Sequence, residues 1–256
     1  MTVDLGTPSQ RRTYRNELLL VLGVSLGQSA VYAAVRLIAR LTAEVPLAEQ
    51  TAALNVSRSP RPLLDLTYQL LGIFFALVPV WLALHLLNRD RAGARHDIGL
   101  NARRPGFDLA WGALLAAVIG LPGLGLFWLA ARLGINATVV PAALPDIWWA
   151  VPVLVLAAAQ NAVLEEVVGV GYLITRLQDL NWRASAIVAA AAVLRGAYHL
   201  YQGFGAFIGN AIMGVVFALF FLRTRRVMPL VVAHTLLDVV AFVGYALLPK
   251  SWFTWL

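Results

Sequence analysis

The chain has 256 residues, of which 60% are hydrophobic and only 13% charged, and its mean hydropathy is +0.75. A soluble domain carries about 45–50% apolar and about 25% charged residues, so this composition excludes an ordinary soluble globule and indicates a polytopic membrane protein. The net charge of +7 comes from arginines clustered between apolar runs, a topology signal and not a nucleic-acid footprint, and the lack of cysteine excludes disulfides, thiolate metal sites and cysteine catalysis.

The N-terminal stretch MTVDLGTPSQRRTYRNE is polar and basic. It lacks the apolar core and small-residue cleavage site of a signal peptide, so the first apolar run is expected to be a retained helix. A spanning helix needs roughly 20 mostly apolar residues. Seven candidate spans follow in chain order: 18–40, 64–87, 108–132, 147–177, 183–202, 205–222 and 227–247. The count is seven to eight. The fourth run is long for one perpendicular span and is expected to tilt, or to begin at the interface at Trp148 and Trp149. The polar loop 41–62 is expected to be disordered or to lie on the outer surface.

Arginine distribution orients the chain. Arg11, Arg12 and Arg15 precede the first span, and Arg89, Arg91, Arg95, Arg103 and Arg104 fill the second loop. Arg176 and Arg183 flank the end of the fourth run, and Arg223, Arg225 and Arg226 follow the sixth. These segments alternate correctly, which predicts a cytoplasmic N-terminus and, with seven spans, an outside C-terminus. The fold class expected is all-α: a polytopic transmembrane bundle with a polar cavity inside it. It divides into a cytoplasmic tail (1–17), N-terminal spans with a basic loop (18–107), a catalytic helix bundle (108–248) and a C-terminal tail (249–256). The Arg-rich, Lys-poor composition suggests a bacterial plasma membrane.

Charge within an apolar span is costly, so each intramembrane ionisable group is a functional candidate. In the last four spans, setting aside those at the ends, these are Glu165, Glu166, Arg195, His199, His234 and Asp238. Arg195 and His199 are four apart and share a helix face, as do His234 and Asp238. Taken singly, each has a plain reading. Glu165 and Glu166 could pair with Arg195, His199 could be a hydrogen-bonded histidine near the interface, and His234 with Asp238 could stabilise a helix. Three consecutive regions with a polar pair each are harder to explain that way. His85 and His96 sit at a helix end and in a basic loop, and are expected to be solvated or structural. A glutamate can act as general base on water, and histidines can ligate zinc or donate to an oxyanion. A proton relay would use the same residue types, so chemistry alone leaves hydrolysis and ion-coupled transport open. There is no H-E-x-x-H.

Three short motifs break the tie. "EEVVGV" begins at Glu165, "RGAYH" ends at His199 and "HTLLD" runs from His234 to Asp238. In this order, at membrane depth, they resemble the E-E-x-x-x-R, F-x-x-x-H and H-x-x-x-N/D motifs of the CAAX-protease and bacteriocin-processing family (CPBP, also called Abi), which includes the type II CAAX prenyl endopeptidases. The resemblance covers about residues 95–245, including the "DIGL" segment before the third span. Val170 stands where the first motif has Arg, and Arg195 where the second has Phe; Gly171 still follows the replaced position. Arg195 is therefore expected to supply the missing cation and to pair with Glu166 across two helices.

The resemblance implies an intramembrane endopeptidase acting on a peptide or membrane-protein substrate. Glu165 would be the water-activating base, His199 and His234 would be metal ligands or oxyanion donors, Asp238 would support the site and Glu166 would hold the helix arrangement. A divalent metal such as zinc, bound by His199 and His234, and a metal-free Glu/His mechanism both stay open. The alternatives are a non-catalytic immunity or scaffold protein of the same fold, and a proton-coupled transporter. At about 1.5 Å per residue, Glu165 is expected roughly 18 Å, His234 roughly 10 Å and His199 roughly 24 Å from the cytoplasmic end. These depths converge only if helices tilt or the boundaries shift by a turn.

Overall fold

A computed structural model describes residues 7–249. The predicted C-terminal tail, apart from its first residue, and the start of the N-terminal tail lie outside the described residues. Thr7 caps the first helix, α1 (Pro8–Gly23), by accepting the Gln10 amide, and Pro8 occupies the first turn, where its missing N–H costs nothing. Residues 8–17 of the predicted tail are thus the beginning of a helix. α2 (Leu26–Leu41) follows after a 52° bend. At the bend the Ser25 hydroxyl donates to the Val21 carbonyl at 2.6 Å.

α3 (Pro62–Ala76) and α4 (Val78–Asp90) form one apolar run, re-started at Leu77 because Pro79 has no amide to continue the ladder. A short helix, α5 (Ala94–Asp97), precedes the long α6 (Pro105–Arg132). α7 (Ala150–Glu166) passes through a π-helical segment, Val167–Tyr172, into α8 (Leu173–Asp179). The last three helices are α9 (Ala184–Tyr198), α10 (Phe204–Thr224) and α11 (Met228–Leu247). The α7–π–α8 run is the central post, half of its apolar window being buried, and α11 packs on α7 and α6 while α10 packs on α9. Of the residues predicted at the start of this run, Trp149 is buried and Trp148 is exposed.

The chain is an integral membrane protein of all-α, polytopic architecture. All seven predicted segments fall on helices. Length and apolarity qualify five runs as complete spans, or six if the bent pair α1–α2 counts as one. The shortfall lies in α9. It has 15 residues, about 22 Å of rise, against a hydrocarbon core of about 30 Å. A 3₁₀ turn (Leu200–Gln202) and Gly203 end it; Gly203 has φ +121°, and a Cβ there would lie 2.5 Å from the Ile135 carbonyl oxygen.

The loop 41–62 is more regular than its polarity suggests. Thr51–Ala53 (β1) pairs in parallel with Thr138–Val140 (β2), and the Gln50 side chain donates to the Arg40 carbonyl at 2.8 Å. This loop and the 133–149 connection therefore zip together at one end of the bundle, satisfying backbone groups that a disordered loop would leave to water.

At the opposite end the arginine-rich segments meet. Arg176 is fully buried, bonds Asp90 at 2.7 Å and the Leu86 carbonyl at 2.9 Å, and lies 3.5 Å from Glu17. Arg91 pairs with Asp179, Arg89 with Glu17 at 2.7 Å, and Arg226 grips Asp108 through two bonds of 2.8 and 2.6 Å. The first of these pairs tie α1, α4 and α8 together, and Arg226 ties the start of α6 to the α10–α11 connection.

Helix α6 crosses α11 at Gly112. A Cβ on Gly112 would sit 2.4 Å from Val232 Cγ1 and 3.1 Å from the Pro229 carbonyl oxygen. Gly112→Val is therefore expected to destabilise the fold by about 1–3 kcal/mol through overpacking. A fall in thermal midpoint against wild type in the same detergent would register it; an unchanged midpoint would show that the crossing is loose.

Candidate functional site

Glu165 and Glu166 close α7, one residue before the π segment begins. Neighbouring residues on a helix point about 100° apart, so the two carboxylates meet different partners. Glu166 is fully buried. Its Oε1 takes an ion pair from Arg195 on α9 and a bond from His234 Nδ1 on α11, the latter at 2.7 Å. A carboxylate can only accept, so His234 Nδ1 carries a proton.

Glu165 is less enclosed, its side chain being 14% exposed. Its Oε2 accepts from the Tyr198 hydroxyl at 2.7 Å, and lies 3.8 Å from Arg195 Nη1 and 3.9 Å from His234 Nε2. Asp238, one turn beyond His234, places Oδ1 3.6 Å from the same Nε2. Asn161 on α7 donates to the other Asp238 oxygen at 3.4 Å. Carboxylates thus face both ring nitrogens of His234.

His199 stands at the C-cap of α9. Its Nδ1 donates to the Arg195 carbonyl at 3.0 Å and its ring packs against Tyr198 at 4.7 Å between centroids. With Nδ1 so used, Nε2 is the nitrogen left for a substrate or water. Arg195 is itself held over the Phe217 ring of α10, 5.1 Å from its centroid.

Five of the six residues singled out in the sequence thus share one contact network: Glu165, Glu166, Arg195, His234 and Asp238. His199 joins it through the Arg195 backbone and the Tyr198 ring. Among the described residues, no hydrogen bond or ion pair links its ring to a carboxylate. Tyr198 and Asn161 were missed as site residues. Tyr198 sits inside "RGAYH", and Asn161 lies one helical turn before Glu165, so i, i+4 spacing from the acid pair would have found it. Val170, where the motif expects Arg, is buried in the π segment, and the cation on Glu166 comes from Arg195.

Could these residues hold a metal? Single donor atoms of Glu165, Glu166 and His234 lie within 4.8 Å of one another. Arg195 already contacts both carboxylates, so a divalent ion would sit against a guanidinium in a low-dielectric interior, where like charges repel strongly. His199, a candidate ligand from the sequence, is outside this group. The donor set suits the arginine better than a second cation.

Fold and site together define a class: a polytopic helical membrane protein with an acid–base cluster buried between α7, α9 and α11. Residues 147–240 match the Rce1-like family model, described as type II CAAX prenyl endopeptidase Rce1-like. The matched stretch contains all three motifs and bears out the resemblance they carry; the family is one of proteases. The matched stretch is narrower than the 95–245 that the resemblance covers. No curated protein and no solved structure matches the chain.

Proposed function

We propose that the protein is an intramembrane endopeptidase that hydrolyses a peptide bond with water activated by Glu165, without a metal. The observation that carries this reading is the unequal use of the two acids. Glu166 is consumed by Arg195 and His234, whereas Glu165 is partly open and held from one side by the Tyr198 hydroxyl. A general base must reach water and must not be locked in an ion pair; Glu165 meets that condition and Glu166 does not.

In this mechanism Glu165 takes a proton from water bound beside it, and His199 Nε2 accepts the other water hydrogen and orients the molecule. The oxygen attacks the scissile carbonyl carbon. The carbonyl oxygen becomes an oxyanion and receives a hydrogen bond from His234 Nε2, which donates in the doubly protonated ring that carboxylates at both nitrogens favour and that Asp238 steadies. Collapse of the tetrahedral species breaks the C–N bond, and the amine leaves with the proton that Glu165 took. Arg195 and Glu166 position the cluster without touching substrate.

The substrate class is a peptide or membrane protein. The N-terminus is cytoplasmic in this reading, because the arginine-rich segments converge on one end of the bundle. Residues 108–248 act as the catalytic bundle, with the earlier helices as its flank.

The test is cleavage of a quenched-fluorescent peptide library by the purified protein in lipid, with and without a chelator. Cleavage that persists in chelator is the expected result. Cleavage lost in chelator and restored by zinc would overturn the metal-free mechanism. A folded wild type that cleaves no peptide in any lipid would favour a non-catalytic immunity or scaffold role.

A further inference from the structure

Away from the acid–base cluster, the first turns of α1 lie against α8 and α9 and leave a groove of about 770 Å³. Its floor and walls are leucines: Leu18 and Leu22 from α1, Leu173 and Leu177 from α8, and Leu194 from α9. Its mouth is strongly basic, carrying Arg11, Arg12 and Arg15. Among the described residues no carboxylate pairs with any of these three arginines. This contrasts with Arg89, Arg91, Arg176 and Arg226 at the same end of the bundle, each of which has an acid partner. Trp182, half-exposed, borders the groove, as tryptophans do at the level of lipid headgroups.

We propose that this groove binds an anionic phospholipid, with one acyl chain along the leucines and the phosphate at Arg11, Arg12 and Arg15. Two features favour lipid over an acidic peptide. The interior is lined by hydrocarbon and offers no ladder of polar groups for a peptide backbone. The three cations are gathered at one end of the apolar channel, where a molecule with a single charged head and an apolar tail is complementary along its whole length. Zwitterionic lipid would satisfy the leucines but not the uncompensated charge.

The experiment is native mass spectrometry and thermal unfolding of the full-length, delipidated protein in mild detergent. Phosphatidylglycerol, phosphatidylcholine and free glycerol phosphate are each titrated. Phosphatidylglycerol is expected to bind and raise the unfolding midpoint, while the other two have little effect. The triple variant Arg11→Gln/Arg12→Gln/Arg15→Gln is expected to weaken phosphatidylglycerol binding at least about tenfold, as loss of several near-surface cations should. Ala190→Trp, which fills the groove and leaves the charges in place, should weaken it similarly. Both variants must first show a cooperative unfolding transition; should the tryptophan variant fail to fold, Ala190→Leu takes its place. Equal binding of phosphatidylcholine, equal binding of free glycerol phosphate, undiminished binding by the triple variant, or displacement of the lipid by an acidic peptide at equal concentration would each overturn the assignment.

Discussion

Glu165→Gln is expected to reduce cleavage by about 10²–10⁴-fold, the usual worth of a positioned general acid–base group. The substitution keeps the shape of the side chain and an oxygen that can still accept from the Tyr198 hydroxyl, so helix content and thermal midpoint should stay near wild type. Glu165 makes no short bond to Arg195, the nearest guanidinium nitrogen being 3.8 Å away, so loss of its charge removes little structural attraction. Rates on a cleaved peptide, measured beside circular dichroism and thermal unfolding, separate the two effects. An active Glu165→Gln enzyme would remove this residue from the mechanism. An inactive one that is also unfolded would show that Glu165 is structural.

Arg195→Leu should act in the opposite register, chiefly on stability. Arg195 and Glu166 are both buried, and removal of one partner leaves a charge alone in a medium that cannot solvate it. Breaking such a pair costs about 3–5 kcal/mol. The loss is expected as a lowered unfolding midpoint in detergent, with cleavage falling in parallel because His234 shares the same Glu166 oxygen. The double variant Arg195→Leu/Glu166→Gln should regain part of the lost stability, since no unpaired charge is left buried. Wild-type stability and activity in Arg195→Leu would dismiss the idea that this arginine replaces the cation missing at Val170.

Much of the architecture was readable from composition because the bilayer leaves few choices: apolar runs must be helices. The acid pair and the two i, i+4 pairs were equally visible, since ionisable residues stand out in such runs. What helical spacing could not supply was depth. Counting from the cytoplasmic end put His234 well short of Glu165, yet its ring bonds the neighbouring Glu166. The reason lies before α11. Arg226 is buried against Asp108, and the Val227 amide donates to the Ile98 carbonyl at 2.8 Å, so the connection from α10 is folded into the protein and is no water-surface loop. The start of α11 is thus no marker of the membrane boundary. The pairing of β1 with β2 was also hidden, because it joins two three-residue segments over eighty residues apart, each too short to show a strand's hydrophobic period.

The π-helical segment 167–172 has a consequence for the phase of the central post. A π turn holds about one residue more than an α turn, so it sets everything after it back by roughly 100° relative to an unbroken helix. Glu165 and Glu166 precede the segment, and Arg176 follows it. The same run must aim its acids at α9 and α11 halfway along, and its arginine at Asp90 and Glu17 near its end. The extra residue works as a phase shifter between those two demands. It lets one helix serve two charge clusters whose bearings a uniform repeat would have coupled.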